Sequence, residues 1–194
     1  LRVAVAAAEF GLPIAPGTLR NLKKCPIGDR NWTDESRELF IRLLASGPAL
    51  LNVWEDIDFI DVPGKLIPEW LGVRNRPSAS AAHRYTIDRH MVEVVTRLGR
   101  ETPSGGRYDD RHYEALLLAG ILHDIGKRPG VANHAAEGAR HATVVVERMG
   151  FDRDIVRWVT LLVREHLTLS EFATGRNPND PNVGDDLAGR LDHN

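Results

Sequence analysis

The residues best equipped for chemistry sit at the end of one apolar run. Ala115–Leu122, ALLLAGIL, is followed at once by His123-Asp124 and then by Ile125-Gly126-Lys127. A core helix gains nothing from an imidazole beside a carboxylate at its end, unless the pair is satisfied locally or holds something. Adjacent helix positions differ in direction by about 100°. The two side chains can therefore converge on one ion only if it lies between this helix and its neighbours, and further ligands must come from other helices. The sequence offers His90 in TIDRHMVEVV, His134 after the loop that follows Lys127, His141 two turns later, and His166 at the end of the next helical segment. Imidazole and carboxylate together suit Mn²⁺, Mg²⁺, Zn²⁺ or Fe, with geometry deciding among them. Such an ion with open positions lowers the pKa of bound water and stabilises charge on a phosphoryl oxygen. Lys127 and Arg164 are candidates to meet a phosphate.

Each of these residues also has an ordinary explanation. A lone helical histidine is usually at the surface or satisfied in the core, which is the reading taken for His112 and His193, and His141 leans the same way. An HD dipeptide arises often by chance. A lysine after a glycine cap commonly serves as the cation at a helix C-terminus, and Arg164 suits a surface ion pair. The whole phrase lifts His123-Asp124 above that background: apolar helix, HD, glycine, lysine, and His134 soon after.

Helices must position these groups. Residues 33–46 begin with Thr33 as N-cap and stop at Gly47-Pro48, with Leu39, Phe40, Leu43 and Leu44 for a buried face. Pro48–Asp58 reads as another helix. Residues 61–79 carry three prolines and read as an irregular connection with a short helix near Ile67–Leu71. Helical signal returns over Thr86–Leu98. After a polar loop at 100–109, it resumes over His112–Ile125, closed by Gly126 as the left-handed residue after the helix. Asn133 caps a helix to Met149, and Gly150 ends it. Asp152 caps the next, to about Leu167, with Ile155, Val156, Val159, Leu162 and Val163 facing the core. The tail from Ala173 reads as loop and then a last helix. No sustained alternation marks a strand, so the class is all-α. A soft boundary at 72–82 divides a helical linker region, 1–75, from the domain carrying the chemistry, 76–194; every histidine falls at or after His83.

Composition narrows the setting. The formal net charge is −2, which gives no footprint for nucleic acid. The single cysteine, Cys25, allows no internal disulfide and fits a reducing compartment. The apolar run 115–122 is too short to span a bilayer, and the N-terminus lacks the basic start of a signal peptide. A cytoplasmic protein without membrane contact is expected. A first residue of Leu suggests a fragment.

ALLLAGILHDIGK resembles the central motif of the HD-domain metal-dependent phosphohydrolases. The fuller set, RPSASAAHRYTIDRHMVEVV, LLLAGILHDIGK, NHAAEGA and LVREHLTLSEFATGRNPNDPNV, is similar to one family: the bifunctional uridylyltransferase/uridylyl-removing enzymes of nitrogen signalling. FGLPIAPGTL and LIPEWLGVRNRP resemble the region that precedes the HD domain there. The resemblance implies a helical HD-domain bundle preceded by a helical linker. It implies hydrolysis of a nucleotide–tyrosine phosphodiester on the PII signalling protein, releasing UMP or AMP. His90, His123 and Asp124 match the family's core metal positions; His134 and His166 match its extra histidines, for a second metal or for phosphate. His83 matches a recurring histidine without an assigned role. In this picture His123, Asp124 and Lys127 carry catalysis, and Lys127 and Arg164 meet phosphate.

Two features set the chain apart. It carries neither a nucleotidyltransferase signature nor length for the sensory pair of ACT domains, and it reads as the excised middle of such an enzyme. The family's final metal-binding aspartate belongs to a phrase beyond LDHN, and Asp180, Asp185, Asp186 and Asp192 are poor substitutes. The alternatives are therefore an HD enzyme acting on free nucleotides, or a catalytically incomplete scaffold that binds PII.

Overall fold

The structure, a computed structural model, describes residues 1–26, 32–78, 85–99, 109–177, 180 and 182–192, without the side chain of 192. His83, His193 and most of the polar loop expected at 100–109 lie outside the described residues. In order, the elements are α1 (Arg2–Phe10), α2 (Pro16–Lys24), α3 (Asp34–Leu44), α4 (Ala49–Phe59), α5 (Val62–Leu66), a 3-10 turn (Pro68–Gly72), α6 (Ile87–Leu98), α7 (Asp110–Leu122), α8 (His134–Arg148), α9 (Arg153–Arg164), α10 (Thr168–Gly175) and α11 (Asn182–Asp192). No strand forms among the described residues; the one backbone bridge they contain joins Pro77 and Thr86. The all-α expectation holds. No helix among them is long and apolar enough to cross a membrane.

The helices start where side-chain acceptors meet their free N–H groups. Thr33 Oγ1 accepts from Ser36 N at 3.1 Å. Asp109 accepts from His112 N at 2.8 Å. Asn133 accepts from Ala136 N at 2.9 Å. Asp152 takes Asp154 N and Ile155 N at 3.0 and 3.2 Å.

Helix α7 is the hub. Its residues Leu117, Leu118, Ile121 and Leu122 have no solvent exposure. It is apolar around most of its surface because it packs on α6 and α9, with α3 and α8 also touching it. Helix α9 presents Ile155, Val159 and Val163 inward, and it lies along α8. Leu162, expected to face the core, is 39% exposed, because it falls about 100° around the helix from Val163. One continuous core takes side chains from both sides of residues 72–82, from Ala4 and Trp54 to Val146 and Val163. Helix α11 is held against the α9–α10 turn by Arg190, which pairs with Glu165 at 2.9 Å and Glu171 at 3.1 Å.

Three boundaries differ from the sequence expectation. Helix α7 stops at Leu122, and His123–Gly126 form turns, with Ile125 N on Leu122 O at 3.0 Å and Lys127 N on Asp124 O at 2.9 Å. Gly126 is not left-handed; among the described glycines that role belongs to Gly11, Gly47, Gly130 and Gly150. Residue 126 is glycine because the turn lies directly on α8: a Cβ there would sit 2.4 Å from His134 O and 2.3 Å from Gly138 N. Helix α9 ends at Arg164 rather than near Leu167. Ala173, expected in a loop, is inside α10.

Candidate metal centre

The turn after α7 carries Asp124 into the middle of the bundle, where its side chain is 3% exposed. Four histidines from four elements surround it. His90 comes from the first turn of α6, His123 from just past the end of α7, His134 from the first position of α8 and His166 from the turn after α9. The two carboxylate oxygens divide them. Oδ2 faces His123 Nε2 at 3.5 Å and His90 Nε2 at 4.0 Å. Oδ1 faces His166 Nε2 at 3.5 Å and His134 Nε2 at 3.6 Å.

These separations are too long for good hydrogen bonds. They match the spacing of atoms that share an ion: bonds of about 2.1 Å in a tetrahedron put neighbouring ligand atoms about 3.4 Å apart. Asp124 Oδ1, His134 Nε2 and His166 Nε2 are fully buried and have no hydrogen-bond partner. Leaving such atoms unsatisfied costs about 1–3 kcal/mol each, and a cation between them removes that cost. The donor set of imidazole and carboxylate is also right for a divalent metal. His90, His123 and Asp124 form one group that could hold a metal ion, and Asp124, His134 and His166 form a second.

Two of the rings are aimed by helix ends. The last carbonyls of a helix lack intrahelical donors. His123 Nδ1 lies 2.8 Å from Gly120 O, and His166 Nδ1 lies 2.7 Å from Val163 O, each three residues back. The proton assigned to Nδ1 by that contact leaves Nε2 as the free lone pair toward Asp124. Sequence reading did not identify these two carbonyls. The signal was present: both histidines stand one or two residues past a helix end.

Burial pushes the His123 imidazole down to about 4, against the pull of Asp124, so it is neutral near pH 7. Burial also lowers His134. Burial would lower His166 as well, but the Asp124 carboxylate and the Val163 carbonyl raise it. Asp124 is itself held well below the usual carboxylate range; burial works against this, but His166, His123 and Lys127 outweigh it. The centre is thus an ionised carboxylate among imidazoles, with burial favouring the neutral form of His123.

Lys127 Nζ donates to Asp124 Oδ2 at 3.1 Å, which places the ammonium at the edge of the same cluster. Arg164 is exposed in the last turn of α9, two residues before His166. His141 stands apart from the cluster, with Nε2 3.0 Å from Glu137 Oε1. His112 stacks on Trp158 with ring centroids 4.2 Å apart. Asp186 pairs with Arg176 at 2.9 Å, and neither it nor Asp180 nor Asp185 joins either ligand group.

No family model matches the chain, and no solved structure matches it. Curated proteins do. The chain is 39% identical over 184 residues, 93% of its length, to a bifunctional uridylyltransferase/uridylyl-removing enzyme of Streptomyces coelicolor. It is 37% identical over 182 residues to the enzyme of that name from Mycobacterium tuberculosis, and 31% identical over 190 residues to that of Corynebacterium glutamicum. It spans 21%, 22% and 26% of those three proteins. The chain is therefore a homologue of one segment, about a fifth to a quarter in length, of the bifunctional uridylyltransferase/uridylyl-removing enzymes.

Proposed function

We propose that this chain is the nucleotidyl-removing part of such an enzyme, a metal-dependent phosphodiesterase of HD type. Its substrate is a tyrosine-linked nucleotide on the PII signalling protein, and its product is UMP or AMP. The observation that carries the reading is Asp124, a buried carboxylate with one histidine pair facing each oxygen.

Asp124, His90 and His123 would hold one divalent ion, Mn²⁺ or Mg²⁺ by preference, with Zn²⁺ or Fe as alternatives; Asp124, His134 and His166 would hold a second. A divalent ion here supplies Lewis-acid stabilisation of phosphoryl charge and makes water a better nucleophile at neutral pH. The chain's own groups do the rest. Lys127 uses one of its three donors on Asp124 and keeps two for a phosphoryl oxygen. Arg164, at the exposed end of α9, meets the nucleotide from outside. Ile121, Leu122 and Ile125, which flank His123-Asp124 in the sequence, have no solvent exposure. Water oxygen bonds to phosphorus as the bond from phosphorus to the tyrosine oxygen breaks. The tyrosine oxygen leaves as a phenolate, whose conjugate acid has a pKa of about 10, and takes up the proton that the attacking water gives up.

The test is nucleotide release from uridylylated and from adenylylated PII with Mn²⁺, comparing the chain with its Asp124→Ala variant. Release of one nucleotide, lost in the variant, is expected. Undiminished release by Asp124→Ala or His123→Ala would refute the mechanism. Faster cleavage of free nucleotides than of the protein-linked diester would refute the substrate.

A further inference from the structure

The connection from Asp124 to His134 is pinned by a part of the chain outside the histidine cluster. Pro129-Gly130 makes a tight turn, with Val131 N on Arg128 O at 3.2 Å and Gly130 in left-handed backbone at φ 79°. Lys127, one residue before Arg128, donates to Asp124. Asn133, at the other end, caps α8. Arg128 opens the turn, and its side chain reaches the 3-10 turn at Pro68–Gly72. There Nη2 donates to Glu69 O at 2.9 Å, a contact between residues 59 apart in sequence. The guanidinium lies on Gly72, where a Cβ would sit 2.5 Å from Nε and 2.6 Å from Cζ.

The same glutamate also reaches α8. Its carboxylate takes Arg148 at 2.8 and 2.6 Å. Arg148 is the last residue of α8 and His134 the first, about 21 Å apart along the axis, so this ion pair fixes the far end of the helix. Arg128 serves the near end: its charge also acts on Glu137, one turn after His134. The Arg128 contact adds little stability. Its Nε is buried without a hydrogen-bond partner, and an unanswered buried donor costs about as much as a hydrogen bond contributes. The consequence of the contact is therefore where the connection sits, rather than how stable the fold is.

We propose that Arg128 is a positioning residue, through which the 3-10 turn sets where the 127–133 connection carries Lys127 and His134. The connection is short, bent by Pro129-Gly130 and closed by the Asn133 cap. It passes a displacement of Arg128 to both neighbours rather than absorbing it. Gly72 belongs to the same device, because only a residue without a Cβ leaves room for the guanidinium. Movement of the segment before α6 thereby reaches the proposed metal centre without touching it. The kinetic consequence rests on the phosphodiesterase reading; the structural consequence does not.

The experiment compares imidazole ¹H–¹⁵N NMR spectra and melting of the metal-free chain across variants. Arg128→Ala should melt within about 4 °C of the parent, yet shift or broaden the His134 signal while that of His112, stacked on Trp158, holds. Gly72→Ala expels the guanidinium and should do the same, and the double variant should go no further than either alone. Arg128→Lys, which can still donate to Glu69 O, should restore most of the signal. Glu69→Gln keeps that carbonyl and removes the carboxylate that holds Arg148; it should melt lower than Arg128→Ala but leave His134 in place. With Mn²⁺ and nucleotidylated PII, Arg128→Ala should lower kcat about tenfold or more and leave KM nearly unchanged. An unchanged His134 signal in Arg128→Ala, an equal change in Glu69→Gln, or additive effects in the double variant overturns the inference. Failure of Arg128→Ala to fold also overturns it, because the role would then be stability. If the parent releases no nucleotide, the proposed function fails, and the His134 signal still decides on Arg128.

Discussion

Replacing Gly126 by alanine probes how the His123-Asp124 turn is fixed in space. The added Cβ would lie 2.3 Å from Gly138 N, 2.4 Å from His134 O and 2.8 Å from Gly138 Cα. All three are backbone atoms of α8, so no rotamer change relieves them. The turn must retreat from α8 by roughly 1 Å to restore ordinary contact. Overpacking of this kind costs about 1–3 kcal/mol, and a clash with backbone alone belongs at the upper end, about 3 kcal/mol. In a chain of this size each kcal/mol moves Tm by about 2–4 °C, so the expected fall is about 6–12 °C. The same movement widens the 3.6 Å gap between Asp124 and His134, which stand on opposite sides of the contact. Loss of ligand positioning on that scale weakens metal binding about tenfold or more. Circular dichroism melting of the metal-free chain and calorimetric titration with Mn²⁺ read the two effects. Gly126→Asn separates close approach from a left-handed cap, since asparagine tolerates the cap but not the contact. The reasoning fails if Gly126→Ala melts within about 2 °C of the parent, or if Gly126→Asn is well tolerated.

Three further expectations follow from particular contacts. Asn133→Ala removes the cap of α8, whose first residue is His134; melting should show a loss of about 1 kcal/mol, and the Mn²⁺ titration a weaker affinity. Glu69 is raised by burial but lowered further by its twofold contact with Arg148 at 2.8 and 2.6 Å, so its folded pKa lies below the ordinary value. That stabilisation is complete above the unfolded carboxylate pKa and is lost as pH falls through the lower folded value. Glu69→Gln should therefore cost about 2 kcal/mol near neutral pH, with the gap to the parent closing in acid melts. His134→Ala combined with His166→Ala strips the Oδ1 side of Asp124 and leaves the Oδ2 side; bound Mn²⁺ per chain, measured by equilibrium dialysis, should fall by about half while the rest stays bound.

Helix starts were the most legible part of the fold. Thr33, Asn133 and Asp152 are polar side chains just ahead of periodic apolar residues, and each caps as that pattern implies. Helices α1, α2 and α10 were not among the expected elements; none has a side-chain cap, and packing and backbone bonds define their ends. The ligand candidates His90, His123, Asp124, His134 and His166 were legible from residue type and from the helices that carry them, and the structure brings them together. The split between the two carboxylate oxygens was not, because it depends on how α6, α8 and α9 are arranged around α7. Gly126 was read as a cap because a glycine after an apolar helix usually is one. A close approach to α8 leaves no trace in local sequence. The hold of the 3-10 turn on Arg128 was equally invisible, since it joins residues 59 apart in sequence.

The measurement that bears most directly on the central claim is anomalous diffraction from crystals of the chain grown with Mn²⁺, collected for the parent and for Asp124→Ala. The account predicts anomalous peaks on both sides of Asp124, one among Oδ2, His90 and His123 and the other among Oδ1, His134 and His166, and neither in the variant. Crystals of well-ordered parent chain with no peak at Asp124, or with the same peaks after its carboxylate is removed, would contradict it.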